Sequence, residues 1–114
     1  MYLAGIEAGG TKFFTTLGDM EGNVIERHRT DTTTPEQTMV AVLEILKSFQ
    51  SKYDIKALGL GCFGPIDVDL NSPTYGYITN TPKVAWQNFD IVSSIRLVFN
   101  GPINFDTDVN AAAL

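Results

Sequence analysis

The sequence has few of the residues that build covalent or metal-centred sites. Its 114 residues include one cysteine, Cys62, one histidine, His28, and one tryptophan, Trp86. A single cysteine excludes an internal disulfide and points to a reducing compartment. One cysteine and one histidine cannot close a Cys/His zinc site within this chain, and they leave no second partner for a Cys-His or Ser-His-Asp centre away from His28. Basic residues are also scarce. Eight lysines and arginines face 13 aspartates and glutamates, a net charge of −5. A nucleic-acid backbone would be repelled on average, and the close pair Arg27/Arg29 reads as a solvated strand face. No run approaches the roughly 20 apolar residues of a membrane helix, and the N-terminus lacks a basic region leading an apolar stretch. These absences predict a cytoplasmic protein with neither membrane nor nucleic-acid partners.

What is present suits one folded domain. Apolar residues make up 44% of the chain and charged residues 18%, ordinary values for a globular core. The length leaves little room for two independent cores.

Tyr2 to Ala8 reads as a buried strand delivered into Gly9-Gly10. Phe13 to Leu17 and Val24 to Thr32 read as a second strand and a third near an edge, separated by the turn residues 18–23. A helix then opens at Thr34-Pro35, with Thr34 as cap, Pro35 in the first position and Gln37 as capping-box partner. Met39, Val42, Leu43, Leu46 and Phe49 form its apolar stripe, which needs a flat surface such as a sheet. Ala57 to Phe63 reads as a further strand stopped by Gly64-Pro65. Residues 67–88 are loop-like, interrupted by a short strand at Tyr75 to Thr79, and a loop of this length is usually functional or disordered. Ile91, Ile95 and Val98 predict a helix ended by Asn100-Gly101-Pro102, followed by a strand at Ile103 to Phe105 and a last helix from Val109, capped by Asp108. Three antiparallel strands followed by parallel ones give a mixed α/β sheet covered by helices.

Two glycine patterns require care. Gly59-Leu60-Gly61-Cys62-Phe63-Gly64 fits G-x-G-x-x-G, but Pro65 and a polar loop follow where the dinucleotide fingerprint needs a helix, so the match is accidental. Gly5 to Lys12 nearly fits the P-loop, with lysine and threonine exchanged and a strand in place of the helix. Such a turn still presents backbone N–H groups that can meet phosphate oxygens, with the Thr11 hydroxyl and Lys12 charge beside them. As a glycine turn alone it reads first as a plain hairpin. Asp106 and Asp108 alternate at a strand's carboxyl end, where α/β sheets bind ligands and a carboxylate can accept a hydroxyl proton. Glu7 interrupts an apolar strand, which predicts a partner such as a magnesium-bound water or Lys12. Trp86 reads first as core, Cys62 as a small buried hydrophobe and His28 as an exposed strand residue.

Four segments together carry a resemblance. Gly5-Ile6-Glu7-Ala8-Gly9-Gly10-Thr11-Lys12, Gly61-Cys62-Phe63-Gly64-Pro65-Ile66-Asp67, Thr81-Pro82-Lys83-Val84-Ala85-Trp86 and residues 106–114 resemble, in order, the ROK family of bacterial sugar kinases and repressors, most closely its fructokinase branch. The resemblance implies a ribonuclease H-like, actin/hexokinase-like ATPase fold, with residues 1–114 as the N-terminal sugar- and phosphate-binding domain of a two-domain kinase. It implies ATP and magnesium as co-substrate and cofactor, and fructose as the hexose. Gly9, Gly10, Thr11 and Lys12 would bind ATP phosphates, and Glu7 would approach the metal through water. Gly64, Pro65, Thr107 and Asp108 would line the sugar, with Asp108 as catalytic base. Zinc would enter only through the second domain, and a homodimer is among the expectations for the full-length enzyme. Glu7 replaces the family's usual Asp, and Thr107 and Lys83 stand where glucokinase-like members carry Asn, which moves the expected substrate away from glucose. The isolated domain is expected not to turn over. The competing expectation is a non-catalytic sugar-binding module or a repressor, although family repressors carry a helix-turn-helix ahead of a first strand that here begins at Tyr2.

Overall fold

The computed structural model describes residues 1–107. Strands β1 (Tyr2–Ala8), β2 (Lys12–Asp19), β3 (Val24–Asp31), β4 (Ile55–Cys62) and β7 (Ile103–Thr107) form one sheet in the order β3-β2-β1-β4-β7. The first three strands are antiparallel, while β1, β4 and β7 run parallel. This is the predicted mixed sheet. Helix α1 (Pro35–Lys52) crosses from β3 to β4, and α2 (Ile91–Arg96) precedes β7.

Side-chain alternation gives the sheet two unlike faces. Ala4, Ile6 and Ala8 stand opposite Leu17, Thr15 and Phe13 on β2, and these residues are buried with Leu58, Leu60 and Cys62 of β4 and Phe105 of β7. Both described helices pack on that face. Helix α1 contributes Met39, Val42 and Leu46, and α2 contributes Ile91, Val92 and Ile95. Leu43 of the predicted stripe lies at its margin, only partly buried. The opposite face presents Leu3, Glu7, Gly59 and Asn104 exposed, with the Arg27 guanidinium 4.1 Å from the centre of the Phe14 ring.

Helix α1 begins as its sequence dictates, with the Thr34 hydroxyl accepting the Gln37 N–H at 3.2 Å and Pro35 in the first turn. Helix α2 ends at Arg96, short of Val98, because its last turn tightens: both Val98 and Phe99 N–H groups donate to the Ile95 carbonyl. The predicted helix from Val109 lies outside the described residues.

Residues 67–88 are more ordered than a structureless loop. Strand β5 (Tyr77–Ile78) pairs with β6 (Phe89–Asp90), Ile66 bridges Ile78, and residues Val84–Trp86 form a 3₁₀ turn. The Asp67 carboxylate holds the tip by accepting the Ser72 and Thr74 hydroxyls, each at 2.5 Å, and the Asp69 N–H at 3.0 Å. The short strand expected at Tyr75 to Thr79 is β5, reduced to Tyr77–Ile78, whereas its two-residue partner β6 is too short to show periodicity and was not foreseen.

Candidate active site

Register assembles the site. Ala8 of β1, Cys62 of β4 and Thr107 of β7 pair across the parallel strands, so all three end level. The Gly9-Gly10 turn, the Phe63-Gly64-Pro65 segment and the end of β7 therefore lie at one carboxyl edge of the sheet. Such an edge is where open α/β sheets receive ligands. The Phe63 N–H donates to the Ala8 carbonyl at 2.9 Å, tying the second segment to the first turn. Asp108 lies outside the described residues, and at Thr107 only the backbone register is established.

The Gly9-Gly10 turn is tight for a reason other than backbone sign, because the positive-φ glycines are Gly22 and Gly76. At Gly9, glycine is required by close approach. A Cβ at Gly9 would stand 2.6 Å from the Lys12 carbonyl oxygen, and one at Gly10 would stand 3.1 Å from Cε of Lys83. The Gly9 N–H donates to the Lys12 carbonyl at 2.9 Å, and the Gly9 carbonyl accepts the Thr32 hydroxyl at 2.8 Å. Thr11 and Lys12 are exposed beyond the turn.

The structure corrects the reading of Glu7. Its position in an apolar strand suggested a buried carboxylate, yet alternation puts Glu7 on the open face, where it is exposed and burial does not demand a partner. Glu7 and Asp106 flank Gly61 in register on that face. With Gly5, Gly59 and Asn104 they line a shallow groove floored by glycine backbone. Two strand-end carboxylates offer the hard oxygen donors that magnesium takes alongside phosphate oxygens, so these residues fit that ion. Among the described residues no cluster of three or more His, Cys, Asp or Glu side chains could hold a metal by itself. A second hollow, among Gln50 to Ile55, lies at the opposite edge, where β1 and β4 begin, and contains none of the predicted site residues.

The bland readings of three residues hold. Trp86 is 1% exposed, donates its indole N–H to the Thr33 carbonyl at 2.9 Å, and packs its ring on Phe13, Phe63 and Phe89. Cys62 is buried. His28 is exposed on β3 beside Glu26. Lys83, read from sequence only as a departure from a family pattern, arrives unannounced over Gly10. The Thr81-Pro82-Lys83 motif was visible in the sequence, but its destination depends on how the loop packs.

Among the described residues no helix is long and apolar enough to cross a membrane. A sequence model of the ROK family matches residues 3–114. The chain is 45% identical over 113 residues to a fructokinase of Lactococcus lactis subsp. cremoris, covering 99% of this chain and 38% of that protein. It is 46% identical over 108 residues to a fructokinase of Streptococcus mutans serotype c, covering 95% of this chain and 36% of that one. A solved ROK family glucokinase from Streptomyces griseus, in complex with glucose and AMPPNP, matches with a TM-score of 0.78 at 23% identity, over 99% of this chain and 35% of that chain. That last likeness is one of fold, and it places the domain in the actin/hexokinase-like class. The chain thus spans little more than a third of the length of these relatives. Since the family match runs through all three segments that the sheet brings to its carboxyl edge, the chain belongs to the ROK family.

Proposed function

We propose that residues 1–114 are the N-terminal domain of a two-domain, cytoplasmic, ATP-dependent hexose kinase that converts fructose to fructose 6-phosphate. The observation that carries this reading is the 45% identity to a fructokinase along 99% of the chain. The common edge shared by the glycine turn, Gly64-Pro65 and the end of β7 supports it, because phosphoryl transfer depends chiefly on bringing donor and acceptor together.

In this reading the Gly9-Gly10-Thr11 turn and Lys12 hold the ATP phosphates, and Gly64, Pro65 and Thr107 bound the sugar. Asp108 accepts the proton of the attacking hydroxyl as its oxygen bonds to the γ-phosphorus and ADP departs. Glu7, with Asp106 across Gly61, would hold magnesium, which when bound neutralises charge on the transferring phosphoryl group. The second domain completes the nucleotide site, so the 114-residue chain alone does not turn over.

The test is an ADP-release assay of the full-length protein with magnesium-ATP and fructose, glucose or mannose. Fructose should give the highest kcat/KM, and a higher value with glucose overturns the substrate assignment. Asp108→Asn should lower kcat by at least about 10²-fold, the low end for a lost general base. A near-wild-type kcat in that variant removes Asp108 from the mechanism. Turnover by residues 1–114 alone at the full-length rate would refute the two-domain requirement.

A further inference from the structure

Lys83 reaches the phosphate turn from a rigid support. Its Cε lies where a Cβ on Gly10 would meet it at 3.1 Å, and the ammonium is one bond beyond. The segment that delivers it is pinned from below. The Lys83 N–H donates to the hydroxyl of Thr81, itself 1% exposed, at 3.3 Å, and the Lys83 carbonyl accepts the Trp86 N–H at 2.9 Å. Trp86 packs on Phe13, which follows Lys12, and on Phe63, which precedes Gly64. One buried side chain therefore fixes Lys83 relative to both the phosphate turn and the sugar segment.

The side chain itself remains exposed, with its stem against the turn and its charged end in solvent. The ion pairs among the described residues join Lys47 to Glu44, Lys52 to Glu26, Lys56 to Asp54 and His28 to Glu26, and involve neither Lys12 nor Lys83. Lys12 shares the parity of Phe14 and the open face, whereas the Lys83 segment packs with Trp86 on the covered side. The two lysines thus lie beside the turn on opposite faces of the sheet. In a chain of net charge −5, this is an unusual place to hold two cations. A lysine acts on phosphate as a compact point charge that tolerates several geometries.

We propose that Lys83 is a second phosphate-binding cation, which holds the polyphosphate of the nucleotide against the Gly9-Gly10 turn from the side opposite Lys12. The proposal rests on the kinase reading above and assigns a binding residue that the glycine turn does not reveal.

Titration calorimetry of the full-length protein tests it with magnesium-AMPPNP and, separately, fructose. Lys83→Met should weaken magnesium-AMPPNP at least about tenfold, the value of one charge-assisted contact, while leaving the Kd for fructose within about twofold. Lys83→Arg should recover most of the affinity, and the deficit of Lys83→Met should narrow as salt is raised. Lys83→Gln, which keeps a polar, hydrogen-bonding end but loses the charge, should behave like Lys83→Met. Unchanged magnesium-AMPPNP affinity in both neutral variants overturns the assignment, as does an equal loss toward fructose, which would indicate a displaced loop. A wild-type protein that binds fructose but no nucleotide would defeat the kinase reading first, and the assignment with it.

Discussion

At the residue scale, the glycines separate by what surrounds them. The Cβ of an alanine at Gly9 would lie 2.6 Å from the Lys12 carbonyl oxygen, a backbone atom that cannot swing aside. Gly9→Ala should therefore destabilise the chain by about 1–3 kcal/mol, the usual cost of forcing extra volume into a packed site. Gly5 is the control, since a Cβ there meets nothing within 4 Å. Gly5→Ala should be neutral or stabilise the isolated chain by up to about 1 kcal/mol, because alanine loses less backbone entropy than glycine in a strand. Urea unfolding of the two variants checks both signs, and equal destabilisation would mean that close approach is not what requires Gly9. Both glycines were visible in the sequence, and the turn was predicted from Gly9-Gly10. The approach of the Lys12 carbonyl to Gly9 depends on the conformation of the turn, and the approach of Lys83 to Gly10 joins residues remote in sequence, so neither was visible there.

At the element scale, the segment from Asp67 to Gly76 shows where local pattern fails and short-range polar chemistry takes over. Asp67 is held below the usual aspartate range by the Ser72 hydroxyl first, then by the Thr74 hydroxyl and the Asp69 N–H. These bonds favour the ionised form, so they stabilise the folded chain above the ordinary aspartate pKa, and that stabilisation is lost as pH falls through the lowered folded value. Replacing Asp67 with alanine should lower the thermal midpoint at neutral pH and leave it close to wild type in strong acid. Melts from about pH 7 down to about pH 2 check this, and a gap that persists unchanged at the acid end would exclude ionisation as the cause. Glu26 and Asp19 carry shifts of the same sign, Glu26 through His28 and Lys52 and Asp19 through Asn23, so the comparison is with wild type at each pH. By contrast, α1 was legible in detail. Its cap, first-turn proline and apolar stripe all lie within one stretch of chain, so each could be read without knowing the fold.

At the scale of the whole molecule, Trp86 links elements that are far apart in sequence: Phe13 of β2, Phe63 after β4, Phe89 of β6 and the Thr33 carbonyl ahead of α1. Trp86→Ala should cost about 3–5 kcal/mol in urea unfolding, the range for emptying a large aromatic site. Less than about 1 kcal/mol would deny it this linking role. The sequence by itself determined the order of the main strands and helices, the capped start of α1, the glycine turn and the family resemblance, because these depend on residues close together or on motif order. Only the tertiary structure decided that both described helices cover one face, that Glu7 lies on the other, and that Lys83 crosses to Gly10. The physical reason is that strand register and loop packing join distant residues: β1, β4 and β7 end level through ladder hydrogen bonds, and the Trp86 anchor carries a lysine from the loop to a turn at the start of the chain.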